Sequence, residues 1–69
     1  MSATLNKLGK LIRAFRLKRG LTQEQLADKA DLHFTYIGQA ERGQRNLTIA
    51  SLEKISKALK VKGGDLLPF

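Results

Sequence analysis

Residues 21–43, LTQEQLADKADLHFTYIGQAERG, hold two short amphipathic patterns with only a brief interruption at Asp31 between them. Thr22 suits the start of the first pattern, because its hydroxyl can accept a backbone N–H that an opening helical turn leaves without a partner. Glu24 follows in that first turn, and Leu26 and Ala30 share one face at i and i+4, with Ala27 beside them. The second pattern, HFTYIGQAERG, ends at Gly43. Two helices joined by so short a turn must cross steeply, so the residue at the crossing has to be small, and Ala27 fills that place. The reversal needs a positive backbone φ, which Asp tolerates better than most residues, and Asp31 stands where it is needed. Leu26, Leu32 and Ile37 then form the apolar wedge between the helices. Phe34, Thr35, Gly38, Gln39 and Arg42 are left on the opposite, exposed side of the second helix.

Outward from this pair, the chain continues as helices with short punctuation. An N-terminal helix is expected from about Thr4 to Lys18, its apolar positions Leu5, Leu8, Ile12 and Phe15 stepping by helical intervals. Gly20 closes it behind the basic residues Lys18 and Arg19, which suit the negative end of the helix dipole. After a loop over 44–47, Thr48 caps a further helix whose buried stripe is Ile49, Leu52, Ile55 and Leu59, with Glu53, Lys54, Lys57 and Lys60 facing water. The run KGG breaks the chain, and Asp65 is placed to cap a last turn carrying Leu66 and Leu67 before Pro68. No alternating run suggests a strand. The expected fold is all-α: five short helices around one core, a single domain over residues 1–69 with the paired helices at about 22–42.

Composition narrows the function. A chain of 69 residues has a marginal core of its own, which favours tight helical packing or dimerisation. With no cysteine and one histidine there is no disulfide scaffold and no metal site. The formal charge is +7, from 13 Lys and Arg against 6 Asp and Glu, which favours a polyanionic partner. The basic amphipathic stretch LNKLGKLIRAFRLKRG also suits a membrane surface, or simply a helix packed on a core with Lys7, Lys10 and Arg13 solvated. No apolar run approaches the ~20 residues that span a bilayer, and no signal-peptide core is present. A helix has the right diameter to enter the major groove of B-DNA, so the exposed second helix of the pair is a candidate reading element.

LTQEQLADKADLHFTYIGQAERGQRNLTIASLEKISKALKV resembles the lambda-repressor/Cro-like (Xre-type) helix-turn-helix regulators, and the likeness runs from Leu8 to Leu67. It rests on the LTQEQLA opening, the YIGQAERG helix and the LxxISKALxV…LL ending. The pattern FTYI…ER…RNLTI is more narrowly similar to controller proteins of restriction–modification systems. The resemblance implies a role for each matching position. Gln23 would meet a phosphate at the start of the first helix of the pair. Thr35 and Gln39 would face base edges, Gln39 being able to pair with adenine N6 and N7. Tyr36 would sit at the groove rim, while Arg45, Asn46, Thr48 and Ser51 would follow the backbone beyond it. Arg16 and Glu41 would form a partly buried ion pair. His33, at the N-cap of the reading helix, and Phe34, where controller proteins often carry an arginine for guanine, belong to the same DNA-facing set. They depart from the pattern: histidine is an uncommon cap, and phenylalanine can touch a thymine methyl but cannot donate to guanine.

Several alternatives remain open on the residues alone. Phe34 fits either the groove face or the core of a slightly shifted helix, and Tyr36 fits either the rim or a half-packed site. Val61, Leu66, Leu67 and Phe69 fit either a core or a dimer contact across residues 61–69. The expected function is a sequence-specific, homodimeric regulator of transcription on a palindromic double-stranded DNA operator, with RNA polymerase as a further candidate partner. The competing readings are an antitoxin-type module that binds a protein and its own promoter, and a basic membrane-surface protein. No enzyme activity, cofactor, metal, membrane or small-molecule ligand is expected, and the expected location is the cytoplasm, at the nucleoid.

Overall fold

Ser2, Thr22 and Thr48 each place a hydroxyl so that it accepts a backbone N–H three residues on, from Leu5, Gln25 and Ser51, at 3.0 Å. These caps open three helices in a computed structural model of the chain, which describes residues 2–69. The helices are α1 (Ala3–Lys18), α2 (Gln23–Ala30), α3 (Phe34–Glu41), α4 (Ile49–Leu59) and α5 (Gly63–Leu66), with no strand among the described residues. Gln25 completes a capping box on α2, its side-chain oxygen accepting the Thr22 N–H at 2.9 Å.

Their ends are as specific as their starts. Asp31 has φ 55°, as the turn requires, and the Leu32 N–H reaches back to the Ala27 carbonyl at 2.9 Å. Gly20, Gly43 and Lys60 hold the same left-handed position after α1, α3 and α4, each followed by a residue that donates back across the last turn.

Leu8 and Ile12 of α1, Leu26, Ala27 and Ala30 of α2, Ile37 and Ala40 of α3, Ile55 and Leu59 of α4 and Leu66 of α5 make one core. Ala27 is buried and Leu32 half-buried, so the wedge between α2 and α3 forms as expected. Arg16 of α1 donates to Glu41 of α3 through Nε at 2.6 Å and Nη2 at 3.0 Å, with the side chains only 9% and 3% exposed. Arg16 Nη1 also donates to the Leu21 carbonyl at 2.8 Å. Removing one partner of such a buried pair strands a charge, at about 3 kcal/mol or more.

Three expectations need correction. Ile49 is not part of the buried stripe: it is 81% exposed. As the first residue of α4, its Cβ tilts back past the end of the core, and the inner face begins at Leu52. Leu66 is fully buried, sealing the α5 end of the core, so it is unavailable to a dimer partner. Asp65 caps from within α5 rather than ahead of it, accepting the Lys62 N–H at 3.0 Å.

Candidate nucleic-acid interface

α3 is fixed along its inner side and presents the outer one. Ile37, Ala40 and Glu41 are buried, while His33, Phe34 and Thr35 are exposed and Tyr36 and Gln39 are half-buried. His33 does cap the helix, its Nδ1 accepting the Thr35 N–H at 3.1 Å, and its ring stacks on Phe34 with centroids 5.1 Å apart. Phe34 is 51% exposed and borders a surface recess with Leu17 and Leu21, so it is not a core residue of a shifted helix.

Gly38 was expected on the open face, but it is buried. The Arg42 and Gln23 side chains lie over it, so that a Cβ there would come within 3.3 Å of Arg42 Nη1 and 3.5 Å of Gln23 Oε1. Gln23 is correspondingly turned inward, its Nε2 donating to Glu41 Oε1 at 3.1 Å. It therefore extends the Arg16–Glu41 pair rather than standing free at the start of α2.

The structure brings Tyr36, Gln39 and Arg45 together. Arg45 Nε and Nη2 both donate to Gln39 Oε1, at 3.1 and 2.8 Å, and the Arg45 guanidinium carbon lies 4.9 Å from the Tyr36 ring centroid. Beside them, Arg42 Nε donates to Gln44 Oε1 at 3.1 Å. Asn46 and Thr48 are exposed on the following loop, and Ser51 is half-buried. The Thr48 hydroxyl donates to Ser51 Oγ at 3.0 Å, so these two form the start of α4 as one polar unit. The outer side of α3 and this loop thus offer donors, two guanidinium groups and one exposed aromatic ring, a chemistry suited to phosphates and base edges.

The dimer-contact candidates lie elsewhere. Val61 and Leu67 line a mainly apolar groove with Ile49 and Leu52, and Phe69 is 92% exposed. Glu53 and Lys57, 3.7 Å apart as an exposed ion pair, also line it.

Sequence reasoning missed Gly9, Asn6 and Arg19. A Cβ at Gly9 would lie 2.5 Å from the Ala40 and Glu41 carbonyl oxygens, so α1 approaches α3 backbone to backbone. Asn6 packs against Gly43 at the far end of that contact. Arg19 Nε donates to the Leu59 carbonyl at 2.8 Å, tying the end of α1 to the end of α4. A glycine inside a helical pattern was the available signal for the first of these.

An exposed helix carried behind a small-residue crossing and a left-handed turn defines a class, and the chain belongs to the helix-turn-helix family, whose model matches residues 12–66. Within it, the chain is similar to restriction–modification control proteins. It is 52% identical to control protein C.BamHI of Bacillus amyloliquefaciens, over 88% of this chain and 76% of that protein. It is 43% identical to control protein C.SmaI of Serratia marcescens, over 87% and 71%. Among solved structures, the controller protein C.AhdI from Aeromonas hydrophila superposes with a TM-score of 0.94 at 38% identity, covering 96% of this chain and all of that one. The controller protein C.Esp1396I, crystallised as a tetramer with its natural 35 base-pair operator, gives a TM-score of 0.85 at 50% identity, over 90% of this chain and 82% of that one.

Proposed function

We propose that this chain is a transcription regulator that binds a palindromic DNA operator as a homodimer, with α3 of each subunit in a major groove. The observation that carries the reading is the outer side of α3, where Thr35 and the Tyr36–Gln39–Arg45 cluster stand over a rigidly packed inner face. Control proteins of restriction–modification systems, to which the chain is similar over most of its length, support the same assignment. Thr35 and Gln39 contact base edges, Phe34 meets an apolar base edge, and Arg45, Asn46, Thr48 and Ser51 engage the backbone beyond. Gln23 acts by bracing Glu41, and its phosphate contact requires the amide to turn outward. His33 holds the start of α3 against the same groove.

The partner subunit docks on the groove formed by Ile49, Leu52, Val61 and Leu67, extended by Phe69. No helix among the described residues is long and apolar enough to cross a membrane. A regulator of this kind works beside DNA in the cytoplasm. The reading assigns the chain no catalytic step.

Selection of bound duplexes from a random pool tests this. Two inverted half-sites with centres about 10 base pairs apart are expected, one per subunit. Affinity should fall with salt by a log–log slope of about 0.9 per phosphate contacted. Thr35→Ala with Gln39→Ala should lose most of the sequence preference while keeping salt-dependent affinity. A wild-type protein that enriches no sequence would refute the reading.

A further inference from the structure

We propose that Arg45 determines which base Gln39 reads, by locking its amide so that the pair accepts guanine and rejects adenine. This rests on α3 being the groove element and goes beyond it by assigning a base and a positioning residue. The guanidinium group has donors and no acceptor, so the amide oxygen of Gln39 has to be the atom that faces it. That oxygen has two lone pairs, and Arg45 Nε and Nη2 supply two hydrogen bonds, at 3.1 and 2.8 Å. The Tyr36 ring, 4.9 Å from the guanidinium carbon, helps hold the fork in place. What Gln39 has left to offer is its Nε2 amine, an end that only donates.

A glutamine with both ends free suits adenine, accepting from N6 and donating to N7. Here the acceptor is already engaged, so adenine keeps a single bond at N7 and sets its N6 amine beside the Gln39 amine, where no acceptor answers it. Guanine presents O6 and N7, both acceptors, to the same amine. Thymine offers O4 alone, and cytosine presents another amine. The order is therefore guanine, with two acceptors, then thymine and adenine, with one each, and cytosine last. The adenine pairing expected for Gln39 from the family likeness is replaced by this one, and the cause lies six residues further along the chain, in the loop after α3.

The experiment compares wild type, Arg45→Lys, Gln39→Ala and the double variant on selected operators, with a circular-dichroism check of folding. The Gln39-dependent base pair is the one at which Gln39→Ala loses discrimination. At that pair, wild type should prefer guanine over adenine by about tenfold. Arg45→Lys keeps a cation for the phosphate but loses the two-pronged fork, so, whatever its change in overall affinity, its guanine preference should collapse or move to adenine. In the Gln39→Ala background the same lysine should change no preference.

If wild type prefers adenine at that pair, or Arg45→Lys retains the full guanine preference, Arg45 serves the DNA backbone alone and the proposal is wrong, with α3 still the reader. A wild type that selects no sequence overturns both.

Discussion

A Cβ added at Gly9 would meet the backbone oxygens of Ala40 and Glu41 at 2.5 Å, whereas one added at Gly38 would meet only the ends of the Arg42 and Gln23 side chains. Both residues interrupt helices, where glycine is about 1 kcal/mol worse than alanine, but for different reasons. Gly9→Ala should destabilise the fold by about 1–3 kcal/mol, because two helix backbones must move apart. Gly38→Ala should leave stability equal or raise it by up to about 1 kcal/mol, yet weaken operator binding, since the buried methyl displaces the Arg42 and Gln23 side chains that cover it. Paired thermal melts and binding titrations check both. A Gly38→Ala protein with unchanged affinity would show that the placement of Arg42 and Gln23 over Gly38 does not matter to binding. The contrast was only half legible in the sequence. A glycine inside a helical pattern is visible, but which neighbour lies above it depends on how α1 and α3 are set against each other.

At the level of helices, the reading from sequence came closest where one residue type answers one backbone demand. Thr22 and Thr48 as caps, Asp31 at a positive φ and the small Ala27 at the crossing all follow from local chemistry, and all are found. Apart from the mid-helix glycines Gly9 and Gly38, the misses fall at element ends. Ile49 continues the apolar spacing of α4 but sits one turn outside the packed region, and periodicity carries no information about where a neighbouring helix stops. Leu66 is apolar next to Leu67, and only the direction of the α5 turn decides which of them is sealed inside. Lys60 illustrates a strained end: it adopts φ 60°, the same left-handed position that glycine fills at Gly20 and Gly43. Lys60→Gly should stabilise the protein by about 0.5–1 kcal/mol, the relief of the left-handed backbone exceeding the extra entropy of an unfolded glycine. Urea unfolding at fixed protein concentration reads this directly, and a lower midpoint would contradict it.

Over the whole molecule, the proposed function gives the +7 charge to DNA and the apolar α4–α5 groove to a second subunit. In a homodimeric regulator of the kind proposed, operator occupancy follows the monomer–dimer equilibrium, and hence protein concentration. Ile49→Asp tests the groove cleanly. The position is exposed, and an acidic residue in the first turn suits a helix start, so each subunit should keep its fold. The dimer dissociation constant should rise by roughly tenfold or more, from the apolar burial lost at the interface. Sedimentation equilibrium gives that number, and an unchanged value would exclude Ile49 from the contact. The way α3 is anchored has a separate consequence. Gly9, the Arg16–Glu41 pair and the Asn6–Gly43 contact all grip its C-terminal end, while His33, Phe34 and Thr35 project from the other end without supporting the core. In the proposed complex, substitutions of Phe34 and Thr35 change what is recognised without touching the core, whereas His33 also caps α3. If α3 reads the groove as proposed, a lineage carrying this scaffold can drift from one operator to another through single changes at residues 34 and 35, and two such regulators can diverge inside one cell until they no longer cross-react.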